Sequence, residues 1–343
     1  MKTIIHDSKI KFIIPQFIFI ILLIHSPSQL LSNNNFINNN SNIICGYCTK
    51  SINGKYLNHE GKNYHKDCYQ DNIQLRCDFC TKTISGIYNI DDNKTYHTTC
   101  YRNNILAKCD ACNTPLDSEF ILDNWGYKYH IFHMKETPNC ESCNRLICEA
   151  ITNGGYLIND NRNICSICWE QSINENTSNI DLIVSEVKSR LAMVGINQFP
   201  DNIPITLVNT KRELEQISDI SIDEVNGYTR YGVKSIGGIK ISEEYEIFIL
   251  SNLHKMIFKA VLAHELMHVY LFQNNINLSS QKTEGFCNLG AKLIYEDYNN
   301  QFSKIKLKAM YQNKDIDYGK GFLIMDVILK EKGWDRLLSE LGK

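Results

Sequence analysis

The sequence predicts a multidomain chain in which small β-rich fingers, each held together by a metal ion, precede a separate α+β domain. Three observations lead there. Thirteen of the fourteen cysteines fall between Cys45 and Cys168, leaving only Cys287 beyond. Histidines occupy regular slots among those cysteines. From Asn179 onward the chain turns to ordinary helix and strand periodicity. A length of 343 residues also exceeds one ordinary domain.

Composition sets the outer bounds. With 43% hydrophobic and 22% charged residues the chain is globular rather than disordered. A net charge of −2 gives no electrostatic case for nucleic acid, whose binders are clearly basic.

Residues 1–30 carry a pattern of their own. Lys2, Lys9 and Lys11 lead into an apolar run over 12–24, broken only by Pro15 and Gln16, with Ser26 and Ser28 behind it. That is the layout of a secretory signal peptide, and the run falls short of the ~20 residues a membrane helix needs. An uncleaved N-terminal anchor is the second reading and a plain apolar extension the third. The expectation is export, or the cytoplasm if the segment is no working signal; a membrane enters only with an uncleaved segment. Residues 31–42 read as an Asn-rich linker.

The cysteines resolve into four repeats. Cys45-x2-Cys48 is followed after sixteen residues by His65-x2-Cys68, and Cys77-x2-Cys80 after sixteen by His97-x2-Cys100. Cys109-x2-Cys112 precedes His130-x2-His133 by seventeen, and Cys140-x2-Cys143 precedes Cys165-x2-Cys168 by twenty-one. Two pairs of soft or borderline ligands, each pair on a tight turn, are what a tetrahedral zinc ion needs. A disulfide framework is the rival. It has no use for His65, His97, His130 or His133, which fill slots where a ligand belongs. Cys148 falls outside the pattern and reads as a packed or free thiol.

The repeats resemble LIM domains, paired zinc fingers of this spacing. Aromatic-His before the third ligand (Tyr64-His65, Tyr96-His97, Tyr129-His130) and Cys-Tyr at the fourth (Cys68-Tyr69, Cys100-Tyr101) strengthen the likeness. Two LIM-like modules are expected, 43–104 and 105–172. Their fingers are separated by eight and six residues, where LIM domains have two, so looser packing or a different pairing is expected. The resemblance implies closed sites, about four structural zinc ions, and binding of protein partners rather than chemistry.

Residues 178–343 form the second expectation. A helix starts near Ile180 and stops at Gly195, a strand covers 203–209, and Thr210-Lys211-Arg212-Glu213 is a capping box opening the next helix. Strands are expected at 238–242 and 245–250, as a hairpin across Glu243-Glu244. Helices are expected at 253–272, 281–298 and 321–332.

The long helix contains His264-Glu265-Leu266-Met267-His268. Residues four apart share a face, ~6 Å apart along the axis, so both imidazoles reach one metal ion. Glu265 adjoins the first ligand, where a carboxylate can take a proton from an activated water. Glu284, sixteen residues beyond His268, is the best third ligand, giving a His2Glu set with an open position. Its bland reading is a carboxylate favoured by a helix N-terminus. Asn288 shares its face and either hydrogen-bonds a ligating histidine or is a surface residue. Cys287 reads as core packing and His254 as structural or exposed. Tyr228, Tyr231 and Tyr318 are candidate oxyanion stabilisers, and residues 245–250 a candidate edge strand for substrate.

LIM-like fingers followed by Ala263-His264-Glu265-Leu266-Met267-His268 and Glu284-Gly285-Phe286-Cys287 resemble the LIM-domain-containing, ubiquitin-activated peptidases of plants that limit organ growth. Tyr318-Gly319-Lys320-Gly321-Phe322 looks like a late motif of that family. The likeness spans roughly 105–335. It implies a zincin-like, gluzincin-type zinc metallopeptidase: His264, His268 and Glu284 hold one catalytic Zn2+, and Glu265 is the general base. The substrate would be a protein. Ubiquitin enters as a partner through the resemblance alone. The plant enzymes carry ubiquitin-interacting motifs and are intracellular; this sequence shows no such motif and opens with an export-like segment. From another class, the rivals are a LIM-type adaptor with an inactive peptidase-like domain and a secreted, disulfide-stapled binding protein.

Overall fold

The computed structural model describes residues 43–177, 179–218, 226–236 and 239–341. Before them it describes only the backbone of four short strands: Ile4–Asp7, Ile20–Leu22, Ser28–Leu30 and Phe36–Ile37. The expected signal segment and Asn-rich linker otherwise lie outside the described residues. Among the described residues, no helix is long and apolar enough to cross a membrane.

The architecture is multidomain α/β: four Cys/His clusters in finger-like modules, then a larger helical region. Contacts divide the chain into two compact units. One is Ile20–Leu122 with Lys128–Ile131; the other is Asp123–Tyr127 with Phe132–Lys343 and Met1–Phe19.

Each finger opens on the same knuckle. The first cysteine's N–H donates to the carbonyl five residues on, as in Cys45 to Lys50 and Cys140 to Arg145 at 2.9 and 2.8 Å. The residue after the second cysteine closes the turn with positive φ: Thr49, Thr81, Asn113 and Asn144, at 59, 63, 58 and 62°. Asn accepts that left-handed backbone more readily than most side chains. In the first two fingers a β-hairpin follows (Tyr56–His59 with Lys62–Tyr64, Ile87–Asp91 with Lys94–His97), then a short helix carrying the last cysteine. Each has a small core of its own around its first cysteine, lined by Tyr56, Tyr64 and Tyr69 or by Tyr88, Tyr96 and Tyr101.

The fourth finger behaves differently. Cys140, Cys143, Cys165 and Cys168 are buried in the same core as Val261, Leu262 and Phe286. Its chain runs on into a two-residue strand, β1 (Ser172–Ile173), and then α1 (Ile180–Ala192), with Gly195 behind it at φ 89°.

A four-stranded sheet comes next, three of its strands drawn from this part of the chain. These three are β2 (Ile205–Val208), β3 (Gly227–Ile236) and β4 (Ile239–Leu250), with α2 (Lys211–Ser218) between β2 and β3. The capping box forms as its spacing predicts: Glu213 N donates to Thr210 Oγ1 at 3.1 Å and Thr210 N to Glu213 Oε2 at 3.3 Å. The order is β3-β4-β2, with β4 antiparallel to β3 and parallel to β2, and Ile4–Asp7 pairs along the far side of β3.

This corrects two expectations. There is no turn at Glu243-Glu244; residues 239–250 are one strand, hairpinned to β3, which the sequence pattern did not show. Nor is 245–250 an edge: Ile247, Phe248, Ile249 and Leu250 are all buried because strands flank it on both sides.

After β5 (Leu253–His254), which pairs with β1, come α3 (Lys255–Gln273), α4 (Ser280–Tyr298), α5 (Gln301–Gln312) and α6 (Gly321–Glu340). The helix α3 begins two residues later than expected because 253–254 are extended. It is apolar almost all round and buried along most of its length, as a helix between a sheet and other helices must be. The helix α6 breaks at Gly333, φ 72°, next to the expected end at Lys332.

Candidate metal centres and active site

Five clusters among the described residues are able to hold a metal ion. Four are the finger quartets: Cys45, Cys48, His65 and Cys68; Cys77, Cys80, His97 and Cys100; Cys109, Cys112, His130 and His133; Cys140, Cys143, Cys165 and Cys168. Geometry matches zinc rather than disulfides. Sulfurs ~2.3 Å from a tetrahedral ion stand ~3.8 Å apart, and sulfur and nitrogen ~3.5 Å. Cys143 Sγ and Cys165 Sγ are 3.7 Å apart, and His65 Nδ1 lies 3.4 and 3.9 Å from the sulfurs of Cys48 and Cys68. The same pair of distances, 3.4 and 3.9 Å, recurs at His97. All fourteen cysteines are unbridged.

The histidine tautomers are set by backbone. His65, His97 and His130 turn Nδ1 to the sulfurs while Nε2 sits 3.3, 3.0 and 3.2 Å from the carbonyls of Ser51, Thr83 and Pro115. With Nε2–H donated there, Nδ1 is left with a free lone pair for metal.

The fifth cluster is built by α3 and α4. His264 and His268, one turn apart, place their Nε2 atoms 3.2 Å from each other. Glu284, on the first turns of α4, brings Oε2 to 3.3 Å from His264 Nε2 and 3.6 Å from His268 Nε2. Nitrogen and oxygen donors ~2.0–2.1 Å from a tetrahedral ion stand ~3.3 Å apart, so the three donors fit a zinc ion. All three residues are buried. The two imidazoles hold the Glu284 carboxyl below its usual range against the upward push of burial.

Asn288, one turn beyond Glu284, orients the first ligand. Its Oδ1 is 3.0 Å from His264 Nδ1, and its Nδ2 donates to the Tyr318 carbonyl at 3.0 Å. The second bond fixes which end of the amide faces the imidazole. His264 therefore donates Nδ1–H and keeps Nε2 for the metal. Cys287 adds a fully buried sulfur within 4.8 Å of ligand nitrogens of both histidines, its thiol pushed well up by burial and by the carboxylates of Glu284 and Glu265. The sequence pattern had read it as packing alone.

Glu265 is completely buried, and burial raises its pKa to about 8, against the pull of His264 and of a hydrogen bond. That bond comes from Thr229 Oγ1 on β3, which donates to Glu265 Oε2 at 2.7 Å. The other oxygen, Oε1, has no protein partner among the described residues. Gly227 lies beside it: a methyl group there would meet Oε1 at 2.7 Å and Val261 at 2.5 Å.

Sequence reasoning missed Thr229 and Gly227, because β3 itself carries no motif. It also missed what the Tyr318-Gly319-Lys320-Gly321 segment does. A Cβ on Gly285 would stand 2.2 Å from the Gly321 carbonyl oxygen, and one on Gly321 2.1 Å from that of Gln281. The glycines let this segment lie directly on the helix that carries Glu284.

The three tyrosines fall in different places. Tyr228 is buried against Phe248, and Tyr318 meets the site through its carbonyl. Tyr231 stacks on Phe272 at 4.5 Å, and Phe272 on His268 at 6.4 Å. Tyr231 and Tyr245 both donate to the Glu243 carboxylate, at 2.5 and 3.0 Å. His254 is half-buried and caps α3, accepting from Met256 N at 3.1 Å.

No family model matches the sequence. Parts of two curated proteins are distantly homologous to it. Protein DA1-related 2 of Arabidopsis thaliana is 26% identical over 196 residues, which cover 48% of this chain and 36% of that protein. Protein DA1-related 7 of the same plant is 24% identical over 196 residues, covering 48% and 34%. The matched segment thus spans about a third of the length of these relatives.

Proposed function

We propose that the second unit is a zinc-dependent endopeptidase of zincin-like design, and that the LIM-like fingers bind protein partners or substrate. The carrying observation is the juxtaposition at α3 and α4. Three donors converge at zinc spacing while the unpartnered Oε1 of a buried carboxylate adjoins the first of them. His264, His268 and Glu284 would hold a zinc ion, which would supply a Lewis acid and an activated water.

The chain's own residues do the rest. Glu265 accepts the proton of the attacking water and delivers it to the leaving amine. Burial supports both halves of that task by keeping its pKa near neutral rather than in the usual carboxylate range. Thr229 holds one oxygen still, and Gly227 keeps space at the other. A cleft of about 610 Å³ runs along β3 and β4, lined by Arg230, Tyr231, Glu243 and Tyr245, and shares Tyr231 with the stack leading to His268. We assign it to the substrate chain.

The test compares wild type with Glu265→Gln on cellular proteins as substrates. The variant should keep its metal and lose cleavage; cleavage at the wild-type rate would remove Glu265 from the mechanism. Wild-type protein that holds five zinc ions and cleaves nothing would favour the adaptor reading.

A further inference from the structure

The four cysteines of the fourth finger are 1, 0, 0 and 1% exposed, unlike those of the first two fingers, where Cys48, Cys68, Cys80 and Cys100 are half-exposed. Four thiolates around a divalent ion leave a net charge of −2, and burying that charge in an apolar core is costly unless it is matched. Two cations match it. Arg145, two residues past Cys143, directs its guanidinium Nη1 at Cys143 Sγ at 3.7 Å. Its flat face lies 3.3 Å from the ring centre of Trp125, whose indole N–H donates to the Cys143 carbonyl at 2.8 Å.

Lys306 approaches from α5. It is buried, and among the described residues no carboxylate lies within ion-pair reach of it. Burial lowers its pKa, against the opposing pull of Cys143, Cys140, Cys168 and, more weakly, Glu141, which is itself paired with Lys211. The ammonium sits 5.5 Å from the Phe302 ring centre. A buried lysine without a carboxylate makes little sense in an empty apolar core and good sense beside a dianionic cluster.

The same cluster holds the start of α3. Four residues past Cys168, β1 pairs with β5, Lys255 N donates to the Gln171 carbonyl and Asn252 N to that of Ile173, each at 2.7 Å. His254, the cap of α3, packs edge-on at 5.0 Å against Phe302, the same ring that the Lys306 ammonium approaches.

We propose that Lys306 and Arg145 are the counter-cations of a buried tetrathiolate zinc centre, and that this neutralised centre is the anchor for the N-terminal end of the helix bearing His264, Glu265 and His268. In that role the fourth finger belongs to the catalytic unit and is no partner-binding module. The inference rests on metal occupancy of the cysteine site and not on peptidase activity.

The experiment follows zinc transfer from the full-length protein to a chromogenic chelator, with native mass spectrometry counting ions. Lys306→Met should release one zinc equivalent at least tenfold faster than wild type, with the other four unchanged, and Lys306→Arg should restore the slow rate. Arg145→Gln, at a partly exposed position, should act in the same direction and keeps the test informative if Lys306→Met does not fold. Amide exchange over 254–258 should quicken in the charge-neutral variants and not in Lys306→Arg. Unchanged release in Lys306→Met, or in Arg145→Gln where only that variant folds, would overturn the counter-cation assignment. Faster release with unchanged exchange would overturn the anchoring role.

Discussion

The Cα of Gly227 faces the Glu265 carboxylate so closely that a single added methyl would lie 2.7 Å from Oε1. That oxygen has no protein partner among the described residues, since Thr229 occupies the other, and in the proposed mechanism it is the one that takes the proton. Gly227→Ala should therefore push the carboxylate aside with the three metal donors in place. Displacements of ~1 Å at a catalytic group cost about 10²-fold in rate. We expect kcat to fall by at least that order with zinc content near wild type, and the melting temperature to drop by several degrees because the methyl also meets the buried Val261 at 2.5 Å. Metal analysis with steady-state kinetics checks it.

Thr229→Val removes the hydrogen bond that pulls the Glu265 pKa down. The acid limb of the kcat/KM profile, where activity rises as Glu265 loses its proton, should then move to higher pH, by about one unit for a bond to a charged group worth ~1.5 kcal/mol. A profile that stays put would mean that Glu265 does not govern that limb.

Asn288 holds His264 through Nδ1 and is itself held by the Tyr318 carbonyl. Asn288→Ala should weaken zinc at the histidine site by ~10–100-fold, the usual effect of losing a partner that orients a ligand. Asn288→Asp keeps an acceptor for Nδ1–H and should recover most of the affinity. Competition with a chelator of known affinity reads both.

Gly321→Ala places a methyl 2.1 Å from the Gln281 carbonyl oxygen, backbone that has no side chain's freedom to swing away. Overpacking of this kind costs ~3 kcal/mol, and the melting temperature of a unit this size should drop by ~6–12 °C. Calorimetry decides it.

His254 accepts from Met256 N only while its Nδ1 is unprotonated, and burial, with Lys306 beside it, lowers its pKa from 6.5 to about 4. A depressed folded pKa means stability present above 6.5 and lost as the pH falls towards 4, at ~1.4 kcal/mol for each pH unit. Denaturant unfolding at pH 7 and pH 5 should show the loss in wild type, and His254→Asn, a neutral cap, should flatten it.

The sequence was most informative where ligand chemistry imposes spacing. The knuckles, the His264–His268 turn and Glu284 are all legible because a metal ion fixes the distance between its donors and a helix or turn converts that distance into residue numbers. The capping box at Thr210 and Glu213 was legible for the same local reason. Gly227 and Thr229 were not, because they reach Glu265 through a sheet register that no nearby residues encode. The strand at 239–250 was split at Glu243-Glu244 because paired charges in sequence imitate a turn; in the fold Glu243 is instead the shared acceptor of Tyr231 and Tyr245. Cys140-x2-Cys143 spells the same knuckle as Cys45-x2-Cys48, and neither the longer spacer nor Cys165 in the slot of His65 says which site is buried.

That last distinction bears on how the protein can be inherited and cut. A boundary drawn where the cysteines end, near residue 178, would sever β1 from β5 and leave Phe302 without Trp125, which it meets at 5.5 Å. The smallest heritable form of the second unit therefore includes Asp123–Tyr127 and carries the Cys140–Cys168 cluster with it. Recombination ought to add, drop or exchange the first two fingers freely and to spare the fourth.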